Sequence, residues 1–267
     1  MNIAFIGGGN MAAALIGGMR RAGATDTIAV LEIDATRGQQ LTEQHGVVAH
    51  GAAGDWLGGS DVVVLAVKPQ QMRGAVDAIR PFLGRPLVLS IAAGVRASTL
   101  ARWLGSDRIV RTMPNTPALI GAGITGAAAL GGVTPEQRAA AERILRAVGE
   151  VVWFDDESML DPVTAVSGSG PAYVFFFIEA MQQAALEMGL NEAQARSLAV
   201  QTFLGAARLA AASPEPASIL RERVTSKGGT TAAALASFET DKVKDAVVRA
   251  LRAANARAKE LGDELDR

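Results

Sequence analysis

Residues 2–12 place a short apolar run, Asn2-Ile3-Ala4-Phe5-Ile6, directly before Gly7-Gly8-Gly9-Asn10-Met11-Ala12. As a strand, a turn and a helix start, this spacing suits a dinucleotide pyrophosphate. Gly7 permits the tight turn, Gly9 lets the backbone approach the phosphates, and Ala12, where a third glycine often stands, keeps helix and strand close. The anion would rest on the amides that open the helix, so Ile6, Gly7, Gly8, Gly9, Asn10 and Met11 form the first candidate site. Glu32 lies 20 residues beyond Ala12, where a carboxylate can bond a ribose 2′-hydroxyl and repel a 2′-phosphate. Arg37, just downstream, suits that phosphate instead, so NAD(H) and NADP(H) both stay open.

A second glycine turn, Val224-Thr225-Ser226-Lys227-Gly228-Gly229-Thr230-Thr231, leads into another helix. Free N–H groups at such a start make a concavity for a carboxylate or phosphate, with Ser226, Thr230 and Thr231 adding hydroxyls. Between the two turns lie small-residue loops at strand ends: Ala66-Val67-Lys68-Pro69, and Ser90-Ile91-Ala92-Ala93-Gly94. In an open α/β sheet, ligands gather at these carboxyl ends, so both loops are expected on the nicotinamide side. Asn115, between Pro114 and Thr116-Pro117, and Ser169, within Ser167-Gly168-Ser169-Gly170-Pro171, are further candidates for holding a small substrate. Each also has an ordinary reading, as a turn residue and as part of a helix start.

The elements that must carry these residues change along the chain. Of the 29 glycines, 21 fall in residues 1–133. There, β-branched runs at Ile3–Ile6, Ile28–Leu31, Val62–Val67, Leu87–Ile91 and Ile109–Thr112 alternate with amphipathic stretches at Met11–Ala22, Ala35–His45, Gln70–Phe82 and Ala97–Leu104. This alternation argues for a parallel sheet with right-handed crossovers. Strands near Gly123–Leu130 and Val151–Phe154, around a helix begun by Thr134-Pro135-Glu136, would complete it. From Asp161 onward the pattern is helical: Ala172–Met188, Glu192–Ala212, Ala217–Arg223, Thr230–Ser237 and Lys242–Leu261. The expected architecture is α/β, a Rossmann-type doubly wound sheet over residues 1–160 followed by an all-α domain over residues 161–267. The wide Ala-rich helix faces predict a homo-oligomer that buries them.

Composition removes several alternatives. The chain has 267 residues, no Cys, one Tyr and two His, His45 and His50. Thiol chemistry and Cys-based zinc sites are excluded, and no metal site is expected. A Ser-His-Asp triad would have to use one of two histidines five residues apart, both of which read as solvated. A net charge of −1 gives no global field for nucleic acid or anionic lipid, so neither partner is expected. Apolar runs are too short to span a bilayer and the amino terminus has no export pattern, which makes a cytoplasmic location the expectation.

Taken together, the blocks 5–12, 66–69, 113–117, 167–173 and 224–231 resemble those of the pyrroline-5-carboxylate reductase family over essentially the whole chain. The last block looks like the family signature, although many members carry Pro where this chain has Lys227. The resemblance implies a Rossmann domain, a helical domain through which subunits dimerise, dimers often assembled into larger rings, and reduction of Δ1-pyrroline-5-carboxylate to L-proline by NADPH or NADH. It also implies that amides of Gly228 to Thr231 hold the substrate carboxylate and that Thr231 bonds the ring nitrogen. Family members often favour NADPH and carry small or neutral polar residues near the position of Glu32, so this chain departs there. Two other readings remain: a 3-hydroxyacid dehydrogenase, which generally has a catalytic Lys early in the helical domain where 168–189 here has none, and a nucleotide-binding oligomer without turnover.

Overall fold

The computed structural model describes residues 1–266. Its first half alternates strands and helices in chain order: β1 (Asn2–Ile6), α1 (Asn10–Arg21), β2 (Thr27–Leu31), α2 (Ala35–His45), β3 (Val48–His50), β4 (Val62–Leu65), α3 (Met72–Ile79), β5 (Leu87–Ser90), α4 (Ala97–Leu104), β6 (Ile109–Met113), β7 (Gly123–Ala129), α5 (Pro135–Arg146) and β8 (Gly149–Phe154). The eight strands form one sheet in the order β3-β2-β1-β4-β5-β6-β7-β8. All neighbours are parallel except β6 and β7, which a short connection joins as an antiparallel pair. β1 lies between β2 and β4, so the chain reverses its winding there and leaves a crevice at the strands' carboxyl ends.

The central strands β1, β4 and β5 are nearly continuous apolar runs because helices cover both faces. Phe5, Leu15, Ile16, Val64, Leu89 and Ile144 belong to a buried cluster on one side, and Ile6, Val63, Met72, Ile79 and Leu100 to one on the other. Burying each such side chain contributes about 1.5–3 kcal/mol, which stabilises the sheet that carries the crevice. α5 starts as the sequence suggests: Thr134 and Gln137 form a reciprocal capping box, with Pro135 in the first turn.

The helical part comprises α6 (Leu160–Val163), α7 (Gly170–Glu187), α8 (Glu192–Ala212), α9 (Ala217–Arg223), α10 (Thr230–Thr240) and α11 (Val243–Leu265). A π-helical turn at Thr164–Gly168 connects α6 to α7, a feature the sequence did not suggest. α8 opens on a capping box of Asn191 and Gln194 and packs along α7. Where the sequence suggested one cut at residue 160, contacts divide the chain at Ser169 and again at Ala254, and the chain from Ala254 onward belongs to the sheet-bearing unit. The unit Gly170–Ala253 exposes large apolar side chains, among them Phe175 at 64%, Phe176 at 65% and Met188 at 78%. Such faces mark an association surface.

Candidate active site

Register brings the first candidate residues together. Ile6 pairs with Leu31 and Leu65, and Leu65 pairs with Ser90. The residues that follow, Gly7, Glu32, Ala66 and Ile91, therefore leave the sheet side by side at the crevice.

The glycine turn has a different reason at each position. Gly7 has a φ of 95°, and a Cβ there would lie 2.9 Å from the Ala66 carbonyl oxygen, so the turn and the Ala66–Pro69 loop are in contact. Gly8 is buried, and a Cβ on it would overlap Leu41 and the Glu32 carboxylate. Gly9 adopts ordinary extended backbone and its added Cβ would meet nothing nearer than Ala66 O at 3.9 Å. It stands at the N-cap of α1, where no side chain accepts from the helix amides. The fold thus leaves open space before the uncapped amides that open α1, a cradle that fits a pyrophosphate.

Glu32 and Arg37 shape that cradle. One Glu32 oxygen accepts from Gly8 N at 2.9 Å and the other from Asp34 N at 3.0 Å. Asp34 in turn caps α2 by accepting from Thr36 N and Arg37 N. The Arg37 guanidinium donates through Nε to the Gly8 carbonyl and through Nη2 to Asn10 Oδ1 at 3.1 Å. Both charged side chains grip the turn, which the sequence reading, placing them only against the ribose, did not foresee. The Gly8 amide is consequently spent on Glu32.

Past β4, Lys68 is exposed while Val67 and Pro69 are partly buried. Past β5, Ala92 is buried, Ala93 exposed and Gly94 partly buried, a stretch of small residues at the crevice. On the same unit, Asn115 is 9% exposed: its amide donates to the Ser167 carbonyl at 3.2 Å and its oxygen accepts from Ile124 N at 3.0 Å. That side chain braces the end of β6 against β7 and the π turn. Ser169 closes the turn, donating its amide to Thr164 O at 2.8 Å.

In the helical unit, Ser226, Gly228, Gly229, Thr230 and Thr231 form the turn before α10. Gly228 has a φ of 72°, and Gly229 is its N-cap, with no side chain capping the first amides. A Cβ on Gly229 would overlap Ser226 Oγ, so only glycine lets this hydroxyl fold beneath the turn. Ser226 and Thr230 are exposed and Thr231 is half-buried. The histidines stand elsewhere in packing roles: His50 stacks on Trp56 at 4.1 Å, and His45 lies against Gly17 of α1. Neither is the freely solvated side chain the sequence suggested.

Comparison with known proteins agrees with this arrangement. Residues 157–261 match the family described as pyrroline-5-carboxylate reductase dimerisation, and residues 2–94 the one described as NADP oxidoreductase coenzyme F420-dependent. The chain is 43% identical over 266 residues to the pyrroline-5-carboxylate reductase of Pseudomonas aeruginosa, covering 98% of this chain and 97% of that one. Among solved structures it is similar to a pyrroline-5-carboxylate reductase from Coxiella burnetii, with a TM-score of 0.92, 41% identity and coverage of 97% and 98%. A pyrroline carboxylate reductase from Plasmodium falciparum, solved with NADP bound, gives a TM-score of 0.87 at 28% identity, with 98% of each chain covered.

Proposed function

Since this chain belongs to the pyrroline-5-carboxylate reductase family, we propose that two anion-binding turns run its reaction without a strong acid or base from the protein. The reaction is the reduction of Δ1-pyrroline-5-carboxylate to L-proline, and the enzyme is an NAD(P)H-dependent oxidoreductase. The observation that carries the mechanism is the open cradle at Gly9 before the uncapped start of α1.

The bound dinucleotide supplies hydride to the imine carbon. Gly9, Asn10 and Met11 hold the pyrophosphate through their amides, with Ile6, Gly7 and Gly8 setting the turn. Ala66–Pro69 and Ala92–Gly94 present small residues and backbone to the nicotinamide. The amides of Gly228 to Thr231 hold the substrate carboxylate, and the Thr231 hydroxyl bonds the ring nitrogen, which takes its proton from solvent before hydride reaches the carbon. An imine, once protonated, already invites hydride, so positioning supplies much of the rate. Asn115 and Ser169 support the substrate side, Asn115 through the brace described above. A dehydrogenase that relies on a Lys early in its helical domain is disfavoured, because α7 contains none.

Arg37 draws a 2′-phosphate toward the turn and Glu32 opposes it, so these two residues set the ranking of NADPH and NADH. The functional division falls near residue 160, close to where the dimerisation match begins. Homo-oligomers form through the helical part, and we extend this to rings of dimers working in the cytoplasm.

With the nicotinamide C4 position deuterated on the transferred face, the label should appear at C5 of proline. Thr231→Val should lower turnover about tenfold or more, the size of a lost hydrogen bond to a charged group. Unchanged turnover with normal imine affinity would remove that hydroxyl from the mechanism.

A further inference from the structure

We propose that the last turns of α11 position the nicotinamide-side loop, residues 91–96, and that Arg96 is the positioning residue. This rests on the assignment of Ala92–Gly94 to the cofactor site made above.

The chain from Ala254 onward belongs to the same compact unit as the sheet. Its helix lies directly behind the loop: a Cβ on Gly94 would stand 3.1 Å from Leu265 Cδ1 and 3.7 Å from Leu261 Cβ, and Gly94 itself has a φ of 78°. Arg96, at the N-cap of α4, sends its guanidinium to Asp263 by a hydrogen bond and to Asp266 at 3.6 Å. Gly262 makes room for it, since a Cβ there would be 3.3 Å from Arg96 Nε. Asp266 also accepts from Arg102 Nη2 at 2.7 Å and from the hydroxyl of Thr99, which is fully buried.

The placement of those two carboxylates needs a reason. Asp263 lies in the last turn of α11 and Asp266 directly follows its end at Leu265, where negative charge opposes the helix dipole. Local helix stability would place Lys or Arg there. The cations that offset them come from α4 and its N-cap, which identifies the carboxylates as a tie between helix end and loop. From the other side, Glu157 Oε1 accepts from Ala97 N at 2.7 Å and fixes the first turn of α4. Residues 91–96 are thus held at the front by the sheet, at their end by Glu157 and from behind by α11. A loop so held can present Ala93 and its own backbone to a flat ring without being ordered by it, which lowers the cost of binding.

The test is Asp263→Asn with Asp266→Asn in the full-length protein, which keeps shape and removes one exposed and one partly buried charge. NADPH dissociation constants are measured by nucleotide fluorescence, and hydrogen exchange at residues 91–96 by mass spectrometry with and without NADPH. Both the dissociation constant and the exchange rate should rise about three- to tenfold, the scale of two partly exposed ion pairs. The KM for pyrroline-5-carboxylate should stay within about twofold and the circular dichroism unchanged, because the second anion turn is untouched. Asp263→Glu with Asp266→Glu keeps the charges and should restore both readouts. If NADPH slows exchange at 91–96 in the wild type but the Asn pair alters neither exchange nor affinity, the positioning role is overturned. If NADPH leaves exchange there unchanged in the wild type, the proposal falls because the loop is not part of the cofactor site.

Discussion

Replacing Gly9 with Ala separates what the fold needs from what the ligand needs. Gly9 has φ −62° and ψ 178°, open to any residue, and an added methyl would meet only Ala66 O at 3.9 Å. The sole cost to the fold is a poorer N-cap, about 0.5–1 kcal/mol. Gly7→Ala is different: left-handed backbone costs about 1–2 kcal/mol, and a Cβ 2.9 Å from Ala66 O adds overpacking of about 1–3 kcal/mol. Against a pyrophosphate the order reverses. The methyl at Gly9 fills the space before the α1 amides, and losing one charge-assisted hydrogen bond of about 1.5–3 kcal/mol weakens binding about ten- to hundredfold. Urea unfolding and NADPH titration of the two variants read both quantities. Gly9→Ala should unfold near the wild-type midpoint and bind NADPH poorly, whereas Gly7→Ala should lose roughly 2–5 kcal/mol of stability. A Gly9→Ala protein that binds NADPH normally, or one as unstable as Gly7→Ala, would contradict this division of roles between the two glycines.

Glu32→Ser removes the charge that opposes a 2′-phosphate and also the clip on Gly8 N. The NADPH-to-NADH ratio of kcat/KM should rise severalfold while both KM values increase, and an unchanged ratio would take Glu32 out of cofactor choice. Asp26 is held well below the usual carboxylate range chiefly by its hydrogen bonds from Arg143, at 2.8 and 3.0 Å, with the Met1 amine adding to them against the effect of burial. Its stabilisation is complete above the unfolded-state pKa near 4 and is lost as pH falls toward the folded value, so Asp26→Asn should cost about 2 kcal/mol at pH 7 and flatten the acid limb of a stability–pH curve. Arg111 is 4% exposed and bonded to Glu157 at 2.8 Å, with Asp161 farther off at 3.7 Å. Glu157→Ala leaves that buried guanidinium only the longer pair with Asp161 and should lower the unfolding free energy by about 3 kcal/mol in urea.

The sheet was legible because β-branched runs and glycine turns are local signals, and α2, α4, α8 and α9 begin and end at the residues the pattern indicated. The apolar run Val62–Val67 outlasts β4 by two residues, since Ala66 and Val67 turn out of the strand to meet Gly7. What sequence could not give were pairings between distant residues. The grip of Glu32 and Arg37 on Gly8 depends on β1 and β2 being adjacent in register. Asn115 reads in the sequence as a substrate-holding or turn residue, and only the fold brings Ser167 and Ile124 to it. The return of the chain after Ala254 to the sheet-bearing unit was equally invisible, because α11 is one continuous helix with no break to mark the change. Asp263 and Asp266 carried a faint sign of it, being acidic where a helix end prefers bases.

The central claim is that this protein reduces a cyclic imine with a borrowed hydride, and turnover tests it most directly. Purified protein should oxidise NADPH or NADH in the presence of Δ1-pyrroline-5-carboxylate, with one L-proline formed per cofactor consumed. Tight cofactor binding without proline formation would contradict the account and leave a nucleotide-binding oligomer in its place.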